Sequence, residues 1–235
     1  MSRRPEIVAI SAQERPGEMG KTIDIREAVE VELKLDPIVD DADIHVMNMN
    51  GDVALNGTVP SYPQHLEAAA ATQRVSGVKN VFNHLQVALP DADFRDDAML
   101  TTAANNALAL NVTVPDGVEA TASDGNLTLT GTVGYGAERA AAELAVVGLT
   151  GVRNVRDDIE ISYDTDAVDA DLHVQEALGR SALVPDDSDV EVVTYGSIIT
   201  LTGHVRTWAE HDAVVGAAWM ARGVIDVDDE LQVTG

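Results

Sequence analysis

The nine residues GDVALNGTV at positions 51–59 return twice in related form, as GNLTLTGTV at 125–133 and as SIITLTGHV at 197–205. A second segment begins twenty residues after the last glycine of each copy. It reads GVKNVFNHLQV at 77–87, GVRNVRDDIEI at 151–161 and GVIDVDDELQV at 223–233. Two segments that keep one spacing through three copies indicate an internal repeat.

The repeat divides the chain into three modules of about seventy residues each. We place module 1 at residues 24–89, module 2 at 93–162 and module 3 at 168–233, behind a flexible amino-terminal tail at 1–23. One alternative is a solenoid, whose units cannot fold alone, but solenoid periods are usually shorter, at roughly 20–50 residues. Because each unit carries its own predicted helices and strands, we favour three small domains.

Local patterns within a module predict the order helix, strand, strand, helix, strand. In module 1, Asp24 is a candidate N-cap for the first helix, and apolar residues follow it with helical spacing. The alternation of Val53 and Leu55 indicates a strand with one buried face. The dipeptide Asn50-Gly51 is typical of a two-residue hairpin turn. The corresponding segments of modules 2 and 3 predict the same order.

Nine glycines are predicted to be structural, in three kinds of position that occur once per module. These are the hairpin-turn glycines Gly51, Gly125 and Gly196, the strand glycines Gly57, Gly131 and Gly203, and the glycines after the second helix, Gly77, Gly151 and Gly223. A glycine within a strand marks a bulge or the close approach of another backbone. Since the second helix carries Ala68 and Ala71 on one face, we expect that helix to be the neighbour. We predict that the third kind occupies C′ positions with left-handed backbone.

The patterns GxVxLxGxV and GVxxVxxxLxV resemble the BON domain, a family named after an osmotically inducible periplasmic protein and nodulation proteins. The resemblance covers nearly the whole chain three times and leaves about the first twenty residues unexplained. It implies an α+β fold of three tandem αββαβ modules, each with a small mixed sheet covered by two helices. It also implies phospholipid or membrane attachment in envelope or osmotic stress, or potassium binding as in a cytoplasmic member. No catalytic residues follow from it.

Composition excludes several classes of function. The chain carries 40 acidic against 15 basic residues, for a net charge of −25, so it repels nucleic-acid phosphates and anionic lipid headgroups. Without cysteine it has no disulfide and no thiolate metal site. It shows neither a transmembrane run nor a secretory signal, so we expect a cytoplasmic protein, open to peripheral membrane association. Motifs for phosphate loops, catalytic serines and zinc are missing, so we expect no enzyme.

Carboxylates cluster beside two strands and within a third. The nine candidates for binding a cation such as K⁺ or Ca²⁺ are Asp40, Asp41, Asp43, Asp186, Asp187, Asp189, Asp226, Asp228 and Asp229. Hard cations prefer such oxygen ligands, although the spacing does not match an EF-hand loop. The alternative is a solvated acidic face that keeps the protein soluble. No other cofactor is expected.

Three functions remain open from the sequence. The first is a non-enzymatic binding or scaffold protein that associates with phospholipid or an envelope-associated protein. Because its charge opposes anionic lipid, it would need an apolar surface for lipid, for which Trp208 and Trp219 are candidates. The second is a cation sensor, and the third is a self-assembling structural protein. In the third, the basic residues of the tail would dock on the acidic module 3 of another copy, giving a homo-oligomer.

Overall fold

The computed structural model describes residues 24–162, 189–195, 197–221 and 224–234. Module 1 contains helix α1 (Ile25–Leu35), strands β1 (Ile44–Met49) and β2 (Asp52–Val59), helix α2 (Tyr62–Gln73) and strand β3 (Asn80–Val87). Asp24 is the N-cap of α1, as predicted, and its side chain accepts a hydrogen bond from the Arg26 amide.

Module 2 repeats this order, and the described part of module 3 repeats it from the first strand onward. Module 2 contains α3 (Asp97–Leu110), β4 (Glu119–Ser123), β5 (Asn126–Val133), α4 (Gly136–Val147) and β6 (Asn154–Ile161). A single 3₁₀ turn at Asp91–Asp93 precedes it. Module 3 contains β7 (Asp189–Tyr195), β8 (Ile198–Val205), α5 (Trp208–Met220) and β9 (Asp226–Val233). The predicted first helix of module 3 and the tail at 1–23 lie outside the described residues.

Each module has a three-stranded mixed sheet whose middle strand is the GxVxLxGxV segment. The strand orders are β1-β2-β3, β4-β5-β6 and β7-β8-β9. The middle strand pairs antiparallel with the first strand and parallel with the third, in the same register in all three sheets. The predicted α+β fold with three small mixed sheets is therefore confirmed. Among the described residues, two helices belong to each of modules 1 and 2 and one to module 3.

The hairpin turns in modules 1 and 2 depend on two residues with positive φ. Asn50 and Gly51 have φ of 58° and 100°, and Asp124 and Gly125 have φ of 52° and 79°. Two successive left-handed residues match the twist of the flanking strands, which is why Asn-Gly and Asp-Gly are favoured here. The carboxylate of Asp97 accepts hydrogen bonds from both turn amides of module 2, and these bonds lower its pKa.

In modules 1 and 2 the core lies between the sheet and two helices, and the described core of module 3 lies between its sheet and α5. The middle strand places alternate side chains there, so that Val53, Leu55 and Val59 are buried in module 1. The predicted alanine face of α2 lies in the same core, with Ala68 and Ala71 fully buried. Burial of apolar surface contributes about 25 cal/mol per Å², and each small side chain buries little of it. The hydrophobic stabilisation of each core is therefore small, and each core depends on close backbone packing.

The strand glycines are close to a different neighbour from the one predicted. A Cβ atom at Gly57 would overlap the carbonyl oxygen of Asp43, and its next contacts are also in Asp43 and Ile44. A Cβ atom at Gly203 would likewise overlap the carbonyl oxygen of Asp189. A Cβ atom at Gly131 would lie 2.5 Å from the carbonyl oxygen of Gly117. The chain entering the first strand, not the second helix, thus makes the close approach. The Gly57 φ of 125° also favours glycine.

The glycines after the second helix are left-handed but do not occupy C′. Gly77 and Gly151 have φ of 88° and 99°. Helix α2 has its C-cap at Arg74 and α4 at Gly148, so both glycines lie in the turn that follows. The C′ prediction is therefore wrong for both, because each helix ends about one turn earlier. Gly196 and Gly223 lie outside the described residues.

Module 1 inserts one side chain into the core of module 2. Tyr62, the first residue of α2, is only 5% exposed and belongs to the core that contains Leu129, Val146 and Ile159. Its ring stacks on His65 with centroids 5.7 Å apart. Burial and the nearby carboxylate of Glu143 raise the pKa of Tyr62. The two modules therefore share a packed contact across the short link at residues 90–92.

Candidate binding surfaces

Each sheet has a face that points away from the helices described for its module, and we call it the open face. In module 1 the register puts Met47, Ala54 and Phe82 side by side across the three strands. Met49 lies next to this row on β1. Met47 is 60% exposed, Met49 74% and Phe82 49%. These four residues form what we call the apolar patch.

The rest of the module 1 open face is polar but carries little charge. The next row across the sheet consists of His45, Asn56 and His84. On the other side of the patch, Asp52 accepts a hydrogen bond from the Asn80 side chain at 2.7 Å. The apolar patch is therefore bordered mainly by polar hydrogen-bonding side chains and by a carboxylate that already accepts a hydrogen bond.

The open faces of the other modules differ from it in chemistry. In module 2 the row equivalent to Met47, Ala54 and Phe82 is Thr121, Thr128 and Arg156. In module 3 exposed Val193 and Tyr195 lie on β7, but β9 contributes Asp226 and Asp228 to the same face. Of the three open faces, that of module 1 alone combines exposed apolar side chains with low charge.

One position on the third strand has the same structural role in every module. Its side chain oxygen accepts a hydrogen bond from the backbone amide two residues further on, at 3.0 to 3.2 Å. The three pairs are Asn83 with Leu85, Asp157 with Ile159, and Asp229 with Leu231. Asp229, a candidate cation ligand, is therefore already used as an acceptor within its own strand.

The same position also links the third strand to the second helix of its module. Asn83 donates to the backbone oxygen of His65 at 2.7 Å. Asp157 accepts a hydrogen bond from Nε of Arg139 at 2.5 Å. The second oxygen of Asp229 lies 2.8 Å from Nε2 of His211. Since these partners are equivalent helix residues, the link holds the helix against the sheet and is part of the fold.

The other candidate cation ligands do not converge. Strand alternation puts Asp226 and Asp228 on the open face and Asp229 on the helix side. Asp189 lies 3.2 Å from the His204 ring, and Asp40 caps the Ala42 amide. Within residues 24–162, 189–195, 197–221 and 224–234, no three acidic or histidine side chains are grouped closely enough to hold a metal ion. Asp41 and Asp43 belong to no such group, and Asp186 and Asp187 lie outside these ranges.

We expect KCl, NaCl and CaCl₂ to raise the melting temperature equally when they are compared at the same ionic strength. The net charge of −25 destabilises the compact chain by self-repulsion, and any salt screens it. Differential scanning calorimetry in the three salts measures the shift. A larger stabilisation by CaCl₂ or KCl would contradict this expectation and would support a specific site among the nine aspartates.

The two tryptophans that were candidates for lipid contact pack against protein. The Trp208 ring lies edge-on to His211 with centroids 4.8 Å apart. Trp219 packs against the module 3 core and also meets module 2, where a Cβ at Gly136 would lie 2.7 Å from its ring. The open face that combines exposed apolar side chains with low charge is instead that of module 1. The sequence contained this signal, because Met47 and Met49 alternate with the buried Val46.

Comparisons with known proteins place the repeat in a family. The sequence model of the BON domain matches residues 23–88, 96–163 and 166–235. Two solved structures of CdsD, a structural protein of the type III secretion system of Chlamydia trachomatis, are similar to this chain. The first is 15% identical with a TM-score of 0.24, over 89% of this chain and 91% of that chain.

The second comprises the carboxy-terminal domain of CdsD. It is 18% identical with a TM-score of 0.23, over 91% of this chain and 98% of that chain. TM-scores this low carry no argument about either structure or function. No curated protein matches the chain by sequence. In the part of the chain that the structure describes, no helix combines the length and apolarity needed to cross a membrane.

Proposed function

This chain belongs to the BON domain family, and on that basis we propose that it is a binding or scaffold protein, not an enzyme, that associates peripherally with phospholipid surfaces through the apolar patch of module 1. The observation that supports the proposal is the row of Met47, Ala54 and Phe82, extended by Met49, on the open face of the sheet, where the two methionines and the phenylalanine are exposed. The family consists of binding modules, which supports a non-catalytic role.

Burial of the patch in a lipid interface would supply the binding energy. Complete burial of a methionine or phenylalanine side chain contributes roughly 1.5–3 kcal/mol, and these three are about half exposed or more. A contact that buries most of two or three such side chains is therefore sufficient for reversible binding. The polar border, with His45, Asn56 and His84, can hydrogen-bond to headgroups at the same depth.

The charge of the chain determines which lipid it prefers. A net charge of −25 is repelled by the negative surface potential of anionic bilayers. The apolar patch gains its binding energy from the apolar surface area that it removes from water, and this contribution does not depend on lipid charge. We therefore expect zwitterionic phosphatidylcholine vesicles to bind more strongly than vesicles that contain phosphatidylserine, and added salt to reduce the difference by screening.

The test is vesicle flotation with the chain and a Met47→Ser/Phe82→Ser double variant. Each substitution removes apolar area worth about 1–2 kcal/mol, so we expect binding to phosphatidylcholine to fall roughly 5- to 30-fold per side chain. The matched control is Thr121→Ser/Arg156→Ser, which changes the equivalent row of module 2. Circular dichroism verifies the fold of both variants.

The control should float as the unchanged chain does. Failure of the unchanged chain to float with either vesicle type would overturn lipid association. Equal flotation of the module 1 variant and the unchanged chain would overturn the assignment to the apolar patch.

A further inference from the structure

A cavity of about 390 Å³ lies between modules 2 and 3, where α4 faces α5. Small residues of both helices form part of its wall, including Ala140 of α4 and Gly216 of α5. The helices touch at Gly136, where a Cβ would lie 2.7 Å from the Trp219 ring and 2.8 Å from the Trp219 backbone oxygen. At Gly216, by contrast, no described residue beyond the adjoining backbone of α5 places a heavy atom within 4 Å of the Cβ position. The cavity therefore extends into open space in front of Gly216.

Two large apolar side chains, Trp219 and Met220, line the α5 side of this cavity. Trp219 is partly buried, whereas Met220 is largely exposed. The guanidinium carbon of Arg139 lies 5.8 Å from the centre of the Trp219 ring, within the range of a cation–π contact. The Arg139 guanidinium therefore already lies over the indole, which leaves the rest of the apolar surface of Trp219 and Met220 for an apolar group.

Three charged side chains line the cavity, and their charges do not cancel. Arg139 donates from Nε to Asp157, and this pair holds α4 against β6. Glu143, one turn further along α4, is a second carboxylate on the same wall. Among the described residues, no hydrogen-bond donor reaches the Glu143 carboxyl. The wall therefore has one carboxylate more than it has cations.

The surroundings of Glu143 disfavour its negative charge. Burial is the main cause that raises its pKa, and repulsion by Asp157 adds to it, while Arg139 acts in the opposite direction. A bound cation would relieve the repulsion and supply the missing counter-charge. The whole chain, at −25, also concentrates cations near its surface.

We propose that this cavity binds an organic cation, an ammonium group that carries an alkyl chain, with the ammonium beside Glu143 and the alkyl chain against Trp219 and Met220. In this placement the Glu143 carboxylate neutralises the ammonium group, and the apolar surfaces of Trp219 and Met220 bury the alkyl chain. The volume is within the usual range for small-ligand sites, roughly 300–1,000 Å³. The site is in modules 2 and 3, so it is independent of the lipid-binding patch in module 1.

The test uses hexyltrimethylammonium as the probe, with hexanol and hexanoate as its neutral and anionic counterparts. Binding is followed by calorimetry and by Trp219 fluorescence in a Trp208→Phe background, which leaves one indole. We expect saturable binding of the ammonium compound, weaker binding of hexanol and none of hexanoate. Glu143→Gln should weaken ammonium binding about tenfold, which corresponds to about 1.4 kcal/mol. No vesicle is present, so the result does not depend on lipid association.

Glu119→Gln is the matched control, because it removes the same charge from an exposed position on the open face of module 2. It should leave affinity nearly unchanged. A second variant, Gly216→Leu, fills the open space in front of α5 and should abolish binding. The proposal would be overturned if the ammonium compound gave neither heat nor a fluorescence change, or if hexanol bound with equal affinity. It would also be overturned if Glu143→Gln or Gly216→Leu left the affinity unaltered.

The dependence on pH is a further readout. The groups that face Glu143 are Arg139 on its own helix, Asp157 on β6 and Tyr62 on α2. As pH falls through its raised pKa, Glu143 takes up a proton and loses the charge that holds the ammonium group. Affinity should therefore decrease on acidification, starting at a higher pH than for an ordinary glutamate, and Glu143→Gln should remove that step. An identical pH profile in Glu143→Gln would contradict the role of this carboxylate.

Discussion

Replacement of Gly57 by alanine is expected to destabilise module 1 by at least about 3 kcal/mol, which is exceptional for the addition of one methyl group. The new Cβ would overlap the carbonyl oxygen of Asp43, and that carbonyl accepts a hydrogen bond from the Thr58 amide. The φ of 125° adds strain of about 1–3 kcal/mol for any residue with a Cβ. Because the Cβ position is fixed by the backbone and the Asp43 oxygen is a backbone atom, no side-chain rotation relieves the overlap.

Hydrogen exchange measures this effect module by module, which matters because three separate cores need not unfold together. Protection of the Leu55 amide should be lost in Gly57→Ala, while that of Leu201 in module 3 should remain. The matched control is Gly148→Ala, where φ is −82° and no heavy atom lies within 4 Å of the added Cβ. It should change stability by no more than about 0.5 kcal/mol. A loss below 1 kcal/mol in Gly57→Ala would contradict the close-approach explanation.

Replacement of Tyr62 by alanine should destabilise module 2, although Tyr62 belongs to the sequence of module 1. The side chain is 5% exposed and packs in the module 2 core, so its removal leaves a cavity there. Truncation of a buried large aromatic side chain typically costs about 3–5 kcal/mol. We therefore expect the amides of Leu129 and Ile159 to lose protection from hydrogen exchange, and those of the module 1 strands to lose much less.

Two further variants separate the causes of that loss. Tyr62→Phe keeps the ring and removes only the hydroxyl, which lies near the Val155 amide, so it should cost about 1 kcal/mol. Tyr195→Ala removes a tyrosine that is 87% exposed on β7 and should have almost no effect on stability. If Tyr62→Ala reduced protection in module 1 alone, the side chain would not contribute to the core of module 2.

Much of the fold follows from patterns within a single module. The alternation of Val53 and Leu55 and the dipeptide Asn50-Gly51 predict a hairpin strand, because strand pairing and turn geometry are local properties. The neighbour of Gly57 was not predictable in the same way. It depends on the path of the chain before β1, which has no periodic pattern. The helix was a reasonable candidate because its alanines do lie in the core, but they pack against other side chains.

The candidate surfaces were less predictable, because they depend on what covers each face. Met47 and Met49 alternate with Val46, yet alternation alone cannot show which side of a strand is left open. The grouping of Asp226, Asp228 and Asp229 in the sequence suggested a common site, but strand geometry separates them. The cavity beside Glu143 depends on contact between two modules, and no pattern within one module contains that information.

The insertion of Tyr62 into module 2 has a consequence for the order in which the protein is made. Roughly ninety residues separate Tyr62 from Val155 in the sequence. At a ribosomal rate of about 5–20 residues per second, Tyr62 emerges roughly 5–20 s before the part of module 2 that covers its ring. During that interval the nascent chain displays an uncovered aromatic side chain at the start of α2, where a chaperone can bind it. Completion of module 2 then removes the binding site.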